Sequence, residues 1–305
     1  MIHRTAETFN GQACIKLDNG NITMWATTGI GPRLLGMALD DGQNLFAELP
    51  DLTLDCPGRG EYHFYGGHRL WHAPEEPRRT YLPDDVPIEA QETEAGLRLI
   101  QPTESATGIQ KQIELRLHPS QAQVEVEHFL TNQGRWPVEL APWAITQFKT
   151  GGKAILPMCA PKADPFGVLS DRNLALWPYT DLRSPHLHIG RSLLILRAQM
   201  TNEAFKIGFR NYSGWLAYLL NGTLFVKRLP HQPEAEYFDR NSSSECYCGA
   251  NFIELESLGP KVTLAPGETV SHLESWELFR DVLFPEDETG ILQALQQLGI
   301  HLAAQ

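Results

Sequence analysis

GIQKQIELRLH, residues 108–118, sets Ile109, Ile113, Leu115 and Leu117 on one side of an extended chain and Gln110, Gln112, Glu114 and Arg116 on the other. Residues i and i+2 share a face in a strand, so this alternation predicts a half-buried β-strand. The turn-like HPSQ (118–121) and then QVEVEHFLTN (123–132) follow, which predicts an antiparallel hairpin. Outward from that hairpin, short runs of the same kind recur: ACIKLDN (13–19), ITMWATT (22–28), RLLGMAL (33–39), GLRLIQP (96–102), SLLILRA (192–198), FKIGFR (205–210), WLAYLL (215–220), LFVKRL (224–229), NFIELESL (251–258) and TVSHLESWELF (269–279). Glycine and proline, 25 and 21 residues, punctuate these runs as they do in large sandwiches. ETGILQALQQLG (288–299) alone repeats at helical spacing, through Ile291, Leu292, Leu295 and Leu298, with Gly299 as a stop. The chain therefore predicts an all-β fold, a large antiparallel β-sandwich with a short C-terminal helix, in one domain spanning 1–305. Segment 50–86 is the longest stretch without strand pattern, and a long loop in a compact domain is often functional.

Composition narrows the function. The formal net charge is −12, from 37 acidic and 25 basic residues, which disfavours nucleic acid and anionic membrane surfaces. No apolar run approaches the length of a spanning helix, and residues 1–20 have no signal-peptide core; the expectation is a cytoplasmic protein with no membrane association. Neither a phosphate-binding glycine loop nor a Ser-His-Asp order is present, and no cofactor is expected. Five cysteines, an odd number in a long chain, do not make a disulfide framework. Cys246 and Cys248 have C-x-C spacing, unlike zinc or thioredoxin pairs, and read as two packing residues on one strand face.

Two stretches carry the polar chemistry. EYHFYGGHRLWHAPEEPRR (61–79) gathers His63, Tyr65, His68, Arg69, Trp71 and His72 around Gly66-Gly67. A sugar needs hydrogen bonds for its hydroxyls and flat aromatic surface for its ring faces, and this stretch supplies both. The alternatives are a surface loop with its aromatics tucked inward, or a metal site built from the three histidines; the H-x4-H-x3-H spacing fits no zinc pattern. NFIELESLGP (251–260) points Glu254 and Glu256 from one strand face, about 6.6 Å apart along the chain. They form either a solvated face or a carboxylate pair that raises its own pKa toward neutrality, as a general base requires. In LFVKRLPHQPEAEYFDRNSSSE (224–245), Lys227, Asp239 and Glu245 are further candidates for the pocket; a strand lysine beside acids suits an acidic sugar or is simply solvated.

The run ECYCGANFIELESLGPKVTLAPGETVSHLESWELF (245–279) resembles the C-terminal end of aldose 1-epimerase-like proteins, the galactose mutarotase-like superfamily, in which a strand bearing the catalytic glutamate precedes an L-x-P-G-E segment (here Leu264, Pro266, Gly267, Glu268) and a last strand ending near a tryptophan (Trp276). HFLTNQGRWPVELAPWAITQF (128–148) is similar to the central strand pair of that superfamily, and YGGHRLWHAP to the region of its substrate-holding arginine. The resemblance implies a galactose mutarotase-like supersandwich acting on a small-molecule carbohydrate. It implies Glu254 as the base, or Glu256 if the register slips by two, and Arg69 as the anchor. The position of the family's general-acid histidine is matched by Trp143, which stacks on a sugar but does not protonate one. His68 or His72 is then the candidate acid, with Tyr65 and His63 as binding residues. Three functions stay open: a sugar isomerase working near the anomeric carbon, a sugar-binding protein that has lost catalysis, and a metal-dependent enzyme of the same fold.

Overall fold

The computed structural model describes residues 2–40, 42–162, 164–200 and 204–303. Two antiparallel sheets, of 12 and ten strands, are packed face to face. The strand Ile109–Leu117 pairs with Gln123–Asn132, with Leu117 opposite Val124, so the expected hairpin is present in the ten-stranded sheet. Its Ile109, Ile113, Leu115 and Leu117 are buried in a core fed from both sides, by Leu34, Leu70, Phe148 and Leu255 of one sheet and Val126, Phe225 and Trp276 of the other. Each such side chain contributes roughly 1.5–3 kcal/mol on burial, and a one-residue slip would expose the whole row; this pins the register.

The C-terminal helix, Glu288–Gln297, is capped by the Asp287 side chain, which accepts from the Gly290 N–H at 2.9 Å. Ile291 and Leu295 bury against Trp215 and Val226 on the outer face of the ten-stranded sheet. Among the described residues no helix is long and apolar enough to cross a membrane.

Segment 50–86 departs from expectation. It holds most of the strand Glu48–Cys56 and all of Gly60–Ala73, paired as a hairpin. The alternation is hidden because Gly60–Ala73 breaks in its middle: Tyr65, Gly66 and Gly67 have φ of 56°, 89° and 72°. Before the break the strand pairs with Glu48–Cys56, and after it with Arg33–Leu39 and Val138–Phe148. The break also shifts the side-chain phase by one residue, so that Phe64 lies on the same face as Arg69 and Trp71. Only glycine fits here, since a Cβ on Gly66 would run into the Ala47 carbonyl oxygen and one on Gly67 into that of Leu34. Gly66→Ala is expected to cost about 3 kcal/mol or more, measured by chemical denaturation, whereas at an unstrained strand position the same substitution is neutral or stabilising by up to about 1 kcal/mol.

Candidate active site

Five neighbouring strands of the larger sheet, Gly60–Ala73, Val138–Phe148, Ile253–Leu258, Ser244–Cys248 and Phe205–Phe209, lie side by side. On each, alternate residues point into the core (Leu70, Phe148, Leu255, Cys246, Ile207). The residues between them project from the other face. There Gln147 and Tyr247 flank Glu254, and Ile145 and Glu245 flank Glu256. The result is a cleft of about 150 Å³, walled by aromatic rings that include Phe64, Trp71, Tyr81, Tyr179 and Tyr247, and furnished with Arg69, Lys206, Glu75 and Glu254.

Two buried cations define its electrostatics. Arg69 Nη2 donates to Glu254 Oε1 at 3.0 Å, and Gln147 Nε2 donates to the same oxygen at 3.0 Å. The guanidinium lies 4.2 Å from the centre of the Trp71 ring, and its Nε and Nη1 have no acceptor among the described residues. Such buried, unpaired donors are costly unless a ligand or water meets them. Lys206 Nζ lies 2.7 Å from Glu245 Oε2 and 3.0 Å from Glu256 Oε2, between the rings of Trp143 and Trp177, each 4.8 Å away. Of the three N–H bonds of the ammonium one goes to Glu256, while Glu245 completes a buried ion pair. Burial pushes the Glu254 carboxyl up to about 7, Arg69 opposing and Glu256 assisting. Burial, with Glu256 and Asp239 nearby, also holds Glu245 well above the carboxylate range against the pull of Lys206. Burial alone would lower the Lys206 ammonium, but Glu245 and Glu256 outweigh it and raise its pKa well above the usual value.

Of the residues singled out in the sequence, Glu254, Arg69 and Trp143 meet in this cleft. Glu256 and Glu245 stand behind Lys206, both fully buried. Asp239 adjoins Glu245, its carboxyl raised by burial, on a turn in which Asp239, Arg240 and Asn241 all have left-handed φ. Trp143 is not a free stacking platform, because its Nε1 donates to Glu256 Oε2 at 2.7 Å and Lys206 covers its ring. His63 and Tyr65 stack on each other outside the cleft, with Tyr65 against Arg33.

His68, His72 and Lys227 do not reach the cleft. After the glycine break, even-numbered residues of the strand face away from Arg69. His72 accordingly lies beside Glu104, which is paired with Lys111 at 2.5 Å. His68 joins a buried network between the sheets. His128 Nδ1 donates to the His272 carbonyl at 2.9 Å, so its Nε2 accepts from His68 Nε2 at 2.7 Å, and Thr146 Oγ1 donates to His68 Nδ1 at 2.8 Å. Burial lowers both imidazoles, in keeping with this neutral arrangement. Lys227 belongs to the smaller sheet and touches the back of the Glu254 strand, donating to the Leu255 carbonyl at 3.1 Å and pairing with Glu274 at 3.0 Å. His68, His128 and Glu274 are close enough together to suggest a metal site. They do not fit one: zinc at 2.0–2.1 Å from two imidazoles would hold their nitrogens roughly 3.3 Å apart, and Lys227 already neutralises Glu274.

The sequence reading missed Lys206, Glu75, Tyr81, Tyr179, Tyr247 and Phe252. A lone lysine within the apolar run FKIGF was the one local signal, and its meaning depends on the strand beside it.

No family model matches the chain, and no curated protein matches it by sequence. Solved structures do match. A TPR-domain containing protein from Parabacteroides distasonis superimposes with a TM-score of 0.61 at 14% identity over 90% of this chain, which spans 48% of that protein's length. A galactose mutarotase-like protein from Lactobacillus casei gives 0.53 at 10% identity, covering 87% of this chain and 100% of its own. A galactose mutarotase related enzyme from Lactobacillus acidophilus gives 0.54 at 8%, covering 92% and 98%. The chain has the galactose mutarotase-like fold.

Proposed function

We propose that the cleft binds a sugar and that Glu254 acts as general base on its anomeric hydroxyl, in an aldose 1-epimerase-like reaction. The observation that carries this is Glu254 itself: a buried carboxyl with its pKa near 7, in an aromatic-walled cleft, beside an arginine with unpaired donors. Glu254 takes the proton of the C1 hydroxyl, the C1–ring-oxygen bond breaks, and the ring oxygen receives a proton. The aldehyde rotates and the steps reverse to give the other anomer. Among the described residues no histidine lines the cleft, so we assign the ring-oxygen proton to the Lys206 ammonium, which recovers it on closure. Its raised pKa makes it a reluctant donor, which predicts a slow enzyme that leans on its base.

Polarimetry of freshly dissolved α-glucose and α-galactose tests the reading, faster relaxation with the protein being the expected result. Lys206→Met is expected to lower the rate about 100-fold, and combining it with Glu245→Gln and Glu256→Gln, which removes both buried carboxyls left without their cation, separates this loss from destabilisation. The second reading, binding without catalysis, is favoured by Trp143 at the position of the acid; a sugar-induced rise in Tm with unchanged relaxation would support it.

A further inference from the structure

We propose that the Glu254 cleft is the closed end of a longer groove, and that its ligand is an oligosaccharide with the reducing ring at Glu254. This rests on the reading of the cleft as a sugar site. Glu75 and Tyr81 wall the cleft on one side and a second cavity, of about 400 Å³, on the other. Arg59 in turn walls that second cavity and a third, of about 390 Å³, bordered by Leu82, Pro83 and Val86 and by residues 101–106. The three spaces therefore abut in a row, and each outer one is larger than the cleft itself.

Each outer space offers what a pyranose needs, an apolar surface for ring C–H groups and polar atoms for hydroxyls. In the second, Tyr81 and Pro57 stand beside Leu54, a large apolar side chain left 40% exposed. In the third, Gln101 is only 4% exposed, yet its Oε1 accepts no hydrogen bond among the described residues. Arg59 Nη1, also buried, has no acceptor among them. An unpaired acceptor and an unpaired donor bordering one cavity match a hydroxyl, which both donates and accepts. The polarity of the chain follows from the chemistry proposed at Glu254. The anomeric hydroxyl must be free there, so further rings leave from the opposite side of the first one, across Tyr81 toward Arg59.

Isothermal titration of the full-length protein with mono-, di- and trisaccharides of glucose (α-1,4) and of galactose (β-1,4) tests this. The expected result is at least a tenfold tighter Kd for the trisaccharide than for the monosaccharide in one series. Arg59→Ala and Gln101→Ala, checked for an unchanged Tm, are expected to shrink that ratio below threefold. A monosaccharide that binds as tightly as its trisaccharide would overturn the groove and leave the cleft standing. A length gain that survives both substitutions would overturn the assignment of the third space. Absence of binding by every member would overturn the sugar site and the groove together.

Discussion

Glu254→Gln is expected to abolish any acceleration of anomer interconversion, by a factor of about 10²–10⁴, the range a positioned general base supplies. Glutamine keeps an oxygen for Arg69 Nη2 and Gln147 Nε2, both of which donate to Glu254 Oε1, so sugar affinity should change only a few-fold. In the wild type the rate should rise with pH through about 7, where the base loses its proton. The same substitution has a stability signature of defined sign. The Glu254 pKa is about 7 in the folded state against 4.5 for an unperturbed glutamate. Between those values the folded protein binds more protons than the unfolded one, so stability falls as pH rises across the window. At 1.36 kcal/mol per unit this amounts to about 3 kcal/mol. Glutamine mimics the protonated acid and escapes the loss, so Glu254→Gln should match the wild type near pH 4 and exceed it by about 2–3 kcal/mol at pH 8. Equal stability at both values would mean that the carboxylate is not held in a desolvated site, and the base assignment would go with it.

The fold was legible in the sequence because the strands of the smaller sheet are wetted on one face, as in Ile109–Leu117, and a period of two survives in their residues. The site was legible only in part. Glu254 and Glu256 could be placed on one face because Ile253 and Leu255, which alternate with them, are apolar; Cys246 and Cys248 were rightly read as packing residues by the same logic, both lying in the core. At Tyr65–Gly67 three left-handed residues interrupt the strand, so 50–86 read as a loop and nothing in it separated the face of Arg69 from that of its neighbours. Histidines 68 and 72 were offered as the acid because Trp143 holds that position, whereas they face away from the cleft. Lys206 and Lys227 show a second limit. Each is a single lysine in an apolar strand, and nothing local says that one reaches the cleft while the other lies between the sheets. That follows from which face of which sheet each strand presents, set by pairings some 20 to 50 residues away in sequence, such as Lys206 with Tyr247 and Lys227 with Trp276.

Lys227→Met is expected to destabilise the protein by about 3–5 kcal/mol without touching the cleft, because it leaves the fully buried Glu274 carboxylate uncompensated. Glu274 also accepts from Trp276 Nε1 at 2.8 Å and from the Ser257 hydroxyl, which in turn lies 2.7 Å from His272 Nε2. One ion pair thus anchors a chain of polar groups running through the sandwich to the back of the Glu254 strand. Removing the charge on both sides should restore much of the loss. Glu274→Gln keeps an acceptor for Trp276 or Ser257, and Lys227→Met fills a similar volume while abandoning only the bond to the Leu255 carbonyl. The double variant is therefore expected to lie within about 2 kcal/mol of the wild type, giving a coupling energy of several kcal/mol in a double-mutant cycle. Additive losses in urea denaturation would show that the pair does not act as a unit. If instead Lys227→Met changed sugar affinity while leaving stability intact, the lysine would belong to the ligand and the placement of the cleft on the outer face of the larger sheet would be wrong.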